Sequence, residues 1–256
     1  MKIVMLGSGN VATAFARLLH SDGFNIIQVY SRHIQNAQTL ALEVNAGYTD
    51  KLSDISKAGD VYIIAVADAA IEAIAAELRL PGKTIVHTAG SVAKDVLSAV
   101  SETYGVIYPV QSISKRMNRV PPIPLLIDAT DGNTLMQLMD LTRRISKQVQ
   151  VANDEERKKL HLSAVFVSNF TNHLYAIAEE YCRQNRLSFQ LLHPLIKETA
   201  ERLQFGEAAA YQTGPAIRQD YETLSKHMHM LESNPEAASL YELLSKSIIQ
   251  HTKDRG

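Results

Sequence analysis

The 256-residue sequence predicts an α/β fold in which a doubly wound parallel sheet, residues 1–152, precedes an all-α domain, residues 153–256. Three observations support this prediction. Short apolar runs alternate with helical patterns in the first part, a glycine-rich turn joins the first run to the first helix, and only helical periodicity follows residue 153. Such alternation is typical of a parallel sheet with helices on both faces.

Six runs in the first part are predicted to be strands because they are short, apolar and rich in β-branched residues. They span residues 2–6, 25–30, 61–66, 84–87, 105–108 and 125–128. The first helical face, which includes Val11 and Phe15, ends at Gly23. Further helical patterns span residues 35–45, 69–78, 93–100 and 134–145.

The second part is predicted to begin with one long helix, from residue 153 to about residue 183, capped by Asn153 or Asp154. The charged run at 155–159 is expected to be a solvated first turn. Shorter helices are predicted at 188–204, 217–231 and 235–251. The last of these has a strong start signal, with Asn234 as cap and Pro235 in the first helical position.

Composition narrows the class of protein. A net charge of -1 gives no electrostatic reason to expect nucleic acid or an anionic membrane as partner. The single cysteine, Cys182, cannot form an intrachain disulfide, which favours a reducing, cytoplasmic location. No apolar stretch approaches the roughly 20 residues that span a bilayer, and no histidine–carboxylate spacing suggests a metal site.

The first strand is followed by a G-x-G-x-x-A turn that opens the first helix. This is the dinucleotide-binding fingerprint of a Rossmann domain, in the context that the fingerprint requires. The first glycine permits the tight turn, the second admits the pyrophosphate, and helix N–H groups hold the phosphates. The predicted cofactor-binding residues here are Gly7, Ser8, Gly9, Asn10 and Val11. The alternative is a plain structural turn.

The end of the second strand favours NADP(H) over NAD(H). An NAD site usually has a carboxylate there for the ribose 2′-hydroxyl, whereas this chain has Ser31 and Arg32. A serine hydroxyl and a planar guanidinium suit a 2′-phosphate. The alternative is that Arg32 is an ordinary solvated surface residue.

Other cofactor contacts are expected from the loops that end the next strands, because ligands of open α/β sheets bind at the carboxyl ends of strands. These residues are Val66, Ala67, His87 and Thr88. Asp68 is instead expected to cap a helix. For His87, a structural hydrogen bond to backbone is an equally good interpretation. Arg116 and Arg119 are expected in a surface loop.

Four motifs carry a resemblance to a known family: HTAG at 87–90, YPVQS at 108–112, AVFVSN at 164–169 and TGPAIRQD at 213–220. The chain resembles the NADP oxidoreductases that join a Rossmann-like domain to a C-terminal helical domain of unknown function. These are related to pyrroline-5-carboxylate reductase and deazaflavin-dependent NADP reductases. The resemblance implies NADP binding and a homodimer but supplies no substrate. Tyr108 stands where the family commonly has histidine, and Ala67 where it commonly has proline.

The long helix carries polar residues among apolar neighbours. At 100° per residue, His161 and Ser168 share one face, and Asn169 lies about 80° from His161. In the related reductases this helix faces the nicotinamide, so the resemblance implies that Ser168 and Asn169 orient a substrate carbonyl or imine. His161 is a candidate proton donor. The alternative is a polar helix–helix contact or a dimer seam.

Three further residues are predicted to bind substrate: Ser112, Thr213 and Arg218. Thr213 precedes a Gly-Pro break, and Arg218 is expected in the first turn of the next helix. The helix dipole disfavours a cation there, so Arg218 should have an acidic partner. That partner is Asp220, Asp154 or a substrate carboxylate, and the alternative to a functional role is a structural salt bridge with Asp220 or Glu222.

The leading hypothesis is an NADPH-dependent reductase of a small carbonyl or imine compound. The second is a non-catalytic NADP(H) sensor that dimerises through its helical domain. A third, a methyltransferase, is disfavoured because its ribose diol would normally want a carboxylate after the second strand.

Overall fold

The computed structural model describes residues 1–115 and 121–253, so Arg116 and Arg119 lie outside the described residues. Contacts divide the chain into two units, Met1–Phe170 and Thr171–Gly256. The first unit contains the sheet and the second is helical. The predicted boundary after residue 152 marks the end of the last strand, and as a domain division it stays a prediction.

Eight strands form one sheet. They are β1 (Lys2–Leu6), β2 (Asn25–Tyr30), β3 (Gly47–Thr49), β4 (Val61–Ile64), β5 (Thr84–His87), β6 (Thr103–Pro109), β7 (Leu125–Ala129) and β8 (Val149–Val151). Their order across the sheet is β3-β2-β1-β4-β5-β6-β7-β8. Neighbouring strands pair in parallel except β6 and β7, which are antiparallel. The chain therefore winds outward in both directions from β1.

Helices cover both faces of the sheet. In the first unit they are α1 (Asn10–Ser21), α2 (Ile34–Glu43), α3 (Asp68–Glu77), α4 (Gly132–Ile145) and α5 (Asp154–Ala164). One buried cluster joins α1, α2 and α4 to the sheet face that presents Ile3 and Met5. A second cluster joins α3 to the opposite face, which presents Val4 and Leu6. Successive side chains of β1 thus pack into two apolar layers, one on each face of the sheet. The predicted doubly wound fold is confirmed.

Two strands escaped prediction, and one predicted helix is not formed. β3 and β8 are three-residue edge strands in which two of the three residues are exposed, so they lack the apolar run that reveals a buried strand. Residues 93–100 contain only a 3₁₀ turn, Lys94–Leu97. Their periodicity reflects burial of Leu97 and Val100, but the Val100 carbonyl accepts a hydrogen bond from the Leu80 N–H instead of continuing a helix.

The second unit contains α6 (Thr171–Gln184), α7 (His193–Glu201), α8 (Tyr221–Met230) and α9 (Pro235–Lys253). Its described residues form no strand, as predicted. Between the two units' helices α5 and α6, residues Val165–Phe170 adopt π-helical conformation, which the sequence did not indicate. Within the described residues, no helix combines the length and apolarity needed to cross a bilayer.

Candidate functional site

A cleft of about 1020 Å³ opens in the first unit, where β1, β2, β4, β5 and β6 end. Strand ends of a doubly wound sheet are where such folds bind ligands. The lining brings together most of the residues singled out from the sequence: Gly7, Ser8, Gly9, Asn10, Val11, Ser31, Arg32, Val66, Ala67, Thr88, Ser112, His161, Ser168 and Asn169. We call this space the cleft below.

The glycine-rich turn has the geometry of an anion cradle. Gly7 has a φ of +132°, and a Cβ added there would lie 2.1 Å from the Ala65 carbonyl oxygen. At Gly9, by contrast, none of the described atoms lies within 4 Å of an added Cβ. The first turn of α1, residues 10–13, is wholly described, holds no acidic side chain and receives no side-chain cap. Its N–H groups therefore suit a phosphate.

Two serines meet where β2 ends. The Ser8 hydroxyl donates to Ser31 Oγ at 2.9 Å, which ties the glycine-rich turn to the β2 end. Ser31 is buried, and the next residue, Arg32, is exposed and lines the cleft. The turn, a hydroxyl pair and a guanidinium thus lie side by side, an arrangement suited to a phosphate-bearing ribose.

Tyr108, near the end of β6, contacts His161 on α5. The Tyr108 hydroxyl and His161 Nδ1 are 2.9 Å apart, and the rings meet edge to face with centroids 5.7 Å apart. Both residues line the cleft. An imidazole, that of His161, therefore lies beside position 108, where this chain has tyrosine and the family commonly has histidine. Only the spacing of β6 and α5 in space could reveal it, because 53 residues separate the partners.

The π-helical segment changes which residues share the His161 face. Ala164, Val165, Ser168 and Asn169 line the cleft together with His161. In a regular α-helix Asn169 would point well away from His161. A π-helical turn holds more residues than an α-helical turn, so Asn169 rotates back toward the cleft. Ser168 is half-buried and Asn169 is exposed.

His87 is not part of the described lining. Its ring is fully buried, with Nδ1 accepting from the Ala89 N–H at 3.2 Å and Nε2 3.3 Å from the Ala93 carbonyl oxygen. Burial, and then the charge of Arg157, lower the pKa of His87 from 6.5 to about 4. The imidazole is therefore neutral and braces the loop that carries Thr88 into the cleft, so the structural interpretation of His87 fits its position.

Arg157 is the clearest residue that sequence reasoning missed. It was assigned to a solvated turn, yet its side chain is fully buried. One nitrogen, Nη2, bonds the Val92 carbonyl and lies 2.6 Å from an Asp154 carboxylate oxygen, whereas Nε and Nη1 have no hydrogen-bond partner among the described residues. Asp154 also accepts from the Lys94 N–H. One turn before His161, this ion pair, in which Arg157 is fully buried and Asp154 is partly exposed, fixes α5 to the loop after β5.

Asp68 does not cap α3 as expected. It is the first residue of that helix, and its carboxylate accepts from the Ser91 hydroxyl at 2.5 Å at the edge of the cleft. Ser91 is one residue beyond Gly90, so the bond links the loops that follow β4 and β5.

Thr213 and Arg218 belong to the second unit, and both are exposed. Arg218 lies in a turn before α8 rather than in the first turn of the helix, which begins at Tyr221. Asp220 caps α8 by accepting from the Thr223 N–H, so its carboxylate is already used. No ion pair within 4.0 Å joins Arg218 to the described residues Asp220 or Glu222. The substrate-binding role of both residues stays a prediction.

Two family models match the chain. Residues 2–91 match the family described as NADP oxidoreductase, coenzyme F420-dependent, and residues 123–248 match a domain of unknown function, DUF2520. These are the two parts that the sequence resemblance implied. No curated protein sequence matches the chain significantly.

Solved structures agree with the family models. The "putative NADP oxidoreductase" of Bacteroides fragilis is 40% identical over 97% of this chain and 98% of its own, with a TM-score of 0.89. Two more distant proteins share the fold. The reductive aminase of Aspergillus terreus, solved with NADPH and ethyl-5-oxohexanoate, is 18% identical over 99% of this chain and 94% of its own, with a TM-score of 0.73. A pyrroline-5-carboxylate reductase of Coxiella burnetii is 16% identical over 98% and 97%, with a TM-score of 0.58.

The predicted cofactor class thus agrees with the family model, and the pyrroline-5-carboxylate reductase shares the fold of this chain. The Bacteroides protein is similar along nearly the whole length of both chains, including the part that matches the domain of unknown function. The chain therefore belongs to the family of NADP oxidoreductases that couple a Rossmann-like domain to this C-terminal domain.

Proposed function

We propose that the protein is an NADPH-dependent reductase of a small carbonyl or imine compound. The observation that carries this proposal is that one cleft contains both the glycine-rich turn and the Tyr108–His161 pair. A dinucleotide held at one end would therefore share a continuous space with groups that hold and move protons at the other.

The residues around the turn fit NADP(H). Gly9 leaves room for the pyrophosphate, no side chain caps the N–H groups at the start of α1, and Arg32 takes the 2′-phosphate beside Ser31. Val66, Ala67 and the other strand-end residues then line the path toward the nicotinamide half. When bound, NADPH supplies a hydride to an electron-poor carbon.

The substrate would lie against the polar face of α5 and the π-helical segment. His161 gives a proton to the carbonyl oxygen or imine nitrogen, and Ser168 and Asn169 hold the substrate by hydrogen bonds. Ser112 lines the same cleft from the segment after β6. Support from the comparisons is that solved proteins of this fold include a reductive aminase and a pyrroline-5-carboxylate reductase.

We further propose that the protein is a homodimer. Among the described side chains of the second unit only Cys182, Ala216 and Ala237 are buried. Large apolar side chains there are instead exposed, including Leu191 at 80% and Phe205 at 81%. A helical unit with so few buried residues needs a partner to cover its apolar faces. Light scattering should give twice the mass of one chain, and a monomer at micromolar concentration would contradict the proposal.

The cofactor test is a titration with NADPH and, separately, with NADH, followed by nicotinamide fluorescence. The wild type should prefer NADPH by tenfold or more, about the effect of one charge-assisted interaction with the 2′-phosphate. Arg32→Asp should remove that preference. Arg143→Asp, on the exposed side of α4 and outside the cleft lining, makes the same change in net charge and should leave it intact.

The reaction test is NADPH oxidation in the presence of small ketones, aldehydes and cyclic imines, with and without an added amine. Turnover that falls about a hundredfold in His161→Gln would support the assigned proton donor. Tight NADPH binding with no turnover of any compound class would favour the non-catalytic sensor. Binding of S-adenosylmethionine without NADPH would instead favour a methyltransferase.

A further inference from the structure

We infer that Tyr108 is the positioning residue for His161: its hydroxyl holds Nδ1 of the imidazole, which leaves Nε2 as the nitrogen that exchanges a proton with substrate. This inference rests on the proposed reductase function and deepens it. It also assigns a role to Tyr108, which stands where the family commonly has histidine.

The bond between the two residues has a rigid base. Tyr108 lies in β6, which is hydrogen-bonded to β5 on one side and β7 on the other, and the residue is only 8% exposed. The edge-to-face ring contact and the 2.9 Å bond leave His161 little freedom to rotate. Gly90 provides the space for this contact, because a Cβ there would lie 2.6 Å from Nδ1.

A phenol suits this task because its oxygen both accepts and donates. The imidazolium donates its Nδ1–H to the Tyr108 oxygen. Loss of the Nε2 proton leaves Nδ1–H in place, so this hydrogen bond persists; in the other neutral tautomer, in which Nδ1 is bare, the Tyr108 hydroxyl donates to Nδ1. The ring is therefore held before and after it gives up a proton. Nε2 of His161 has no hydrogen-bond partner among the described residues, so it is available to a ligand.

The charged groups around Tyr108 keep its hydroxyl protonated. Burial raises the pKa of the phenol, the carboxylate of Asp68 raises it further, and the buried guanidinium of Arg157 lowers it. The net direction is upward, so the phenol retains its proton at neutral pH. Tyr108 is thus a partner of His161 rather than a source of negative charge.

The proton balance is simple. The carbon of the C=O or C=N bond gains a hydride with both electrons, and the oxygen or nitrogen gains the Nε2 proton of His161. The imidazole then takes a proton from water. Tyr108 forms and breaks no covalent bond in this sequence, which is why we class it as a positioning residue.

The first test needs no substrate. Protein labelled with ¹⁵N-histidine is compared as wild type, Tyr108→Phe and Tyr104→Phe. Tyr104 is the matched control: it lies on the same strand, its hydroxyl donates to Asp95 at 3.1 Å, and it is outside the cleft lining. Tyr108→Phe should shift the Nδ1 resonance of His161 far more than the Nε2 resonance. Tyr104→Phe should shift neither, and an unchanged Nδ1 in Tyr108→Phe would overturn the inference.

The second test asks whether Tyr108 acts through His161. With a substrate from the reductase screen, Tyr108→Phe should lower kcat about fivefold to tenfold, the worth of one hydrogen bond, and leave NADPH affinity unchanged. In a His161→Gln background the same change should have no further effect. Additive losses would overturn the positioning role. If Tyr108→Phe shifts the Nδ1 resonance as expected but the wild type turns over no compound, the proposed function fails, and this inference fails with it.

Discussion

Gly90 lies so close to His161 that a Cβ on Gly90 would stand 2.6 Å from Nδ1 and 2.8 Å from Cγ of the imidazole. The Tyr108 ring is also in the way, with Cε2 2.9 Å from the added Cβ. Both rings are held by their mutual contact, so Gly90→Ala should displace the imidazole and cost about 1–3 kcal/mol of stability. Turnover should fall tenfold or more, because a small displacement of a proton donor lowers the reaction rate strongly.

Gly132 supplies the control for that substitution. It is the first residue of α4, and none of the described atoms lies within 4 Å of an added Cβ. Gly132→Ala should leave turnover and the His161 ¹⁵N resonances as in the wild type. Equal effects of the two substitutions would mean that Gly90 has no special relation to the site.

Gly7 and Gly9 should separate folding from cofactor binding. Alanine at Gly7 meets both a φ of +132° and backbone 2.1 Å away, so Gly7→Ala should destabilise the fold by several kcal/mol. Alanine at Gly9 meets no described atom within 4 Å. Gly9→Ala should melt like the wild type but bind NADPH at least about tenfold more weakly, because the methyl group occupies the path of the pyrophosphate. Unchanged NADPH affinity in Gly9→Ala would show that the glycine-rich turn does not bind the pyrophosphate.

His87 should make stability depend on pH in mildly acidic solution. The pKa of His87 is about 4 in the folded protein and 6.5 in the unfolded chain. Between pH 4 and pH 6.5 the unfolded chain therefore binds a proton that the folded chain does not. Stability is full above pH 6.5 and declines as pH falls toward 4. The expected loss between pH 7.5 and 5 is about 2 kcal/mol, measured by denaturant unfolding.

His87→Gln should remove most of that pH dependence, since the amide can accept from the Ala89 N–H and donate to the Ala93 carbonyl without titrating. His251→Gln, at an exposed position on α9, should retain the wild-type slope. The assignment fails if both variants show the same slope.

The Asp154–Arg157 pair should matter for stability far more than a surface pair. Burial alone would raise the pKa of Asp154, but the hydrogen bond and charge of Arg157 hold it below its usual value. Asp154→Asn leaves the guanidinium buried without a counter-charge and should cost about 3–5 kcal/mol. Adding Arg157→Met should recover much of that loss, because the uncompensated charge is gone.

Glu155→Gln is the control, because Glu155 pairs with Lys159 at 2.6 Å while both side chains are largely exposed. Its loss should stay below about 1 kcal/mol. Similar unfolding free energies for Asp154→Asn and Glu155→Gln would show that burial does not strengthen the Asp154 contact.

The elements that could be predicted from the sequence are those whose buried face produces a local pattern of apolar residues. The central strands β1, β2 and β5 have the predicted bounds. The edge strands β3 and β8 were missed because hydrogen bonds to one neighbour, not apolar side chains, define them. Arg157 was predicted to be solvent-exposed because it lies in a charged run. Nothing in the local sequence shows that its side chain is buried and bonds both Asp154 and the Val92 carbonyl.

What the sequence determined by itself is the class of fold, the glycine-rich turn and the residues that follow β2. Each depends on neighbours along the chain: a strand, a tight turn, a helix start and the side chains just beyond a strand. What only the tertiary structure decided is the pairing of Tyr108 with His161, the space left by Gly90 and the return of Asn169 to the cleft. These join residues far apart in sequence, or depend on a π-helical turn, and the physical reason is that packing in space, rather than local preference, fixes them.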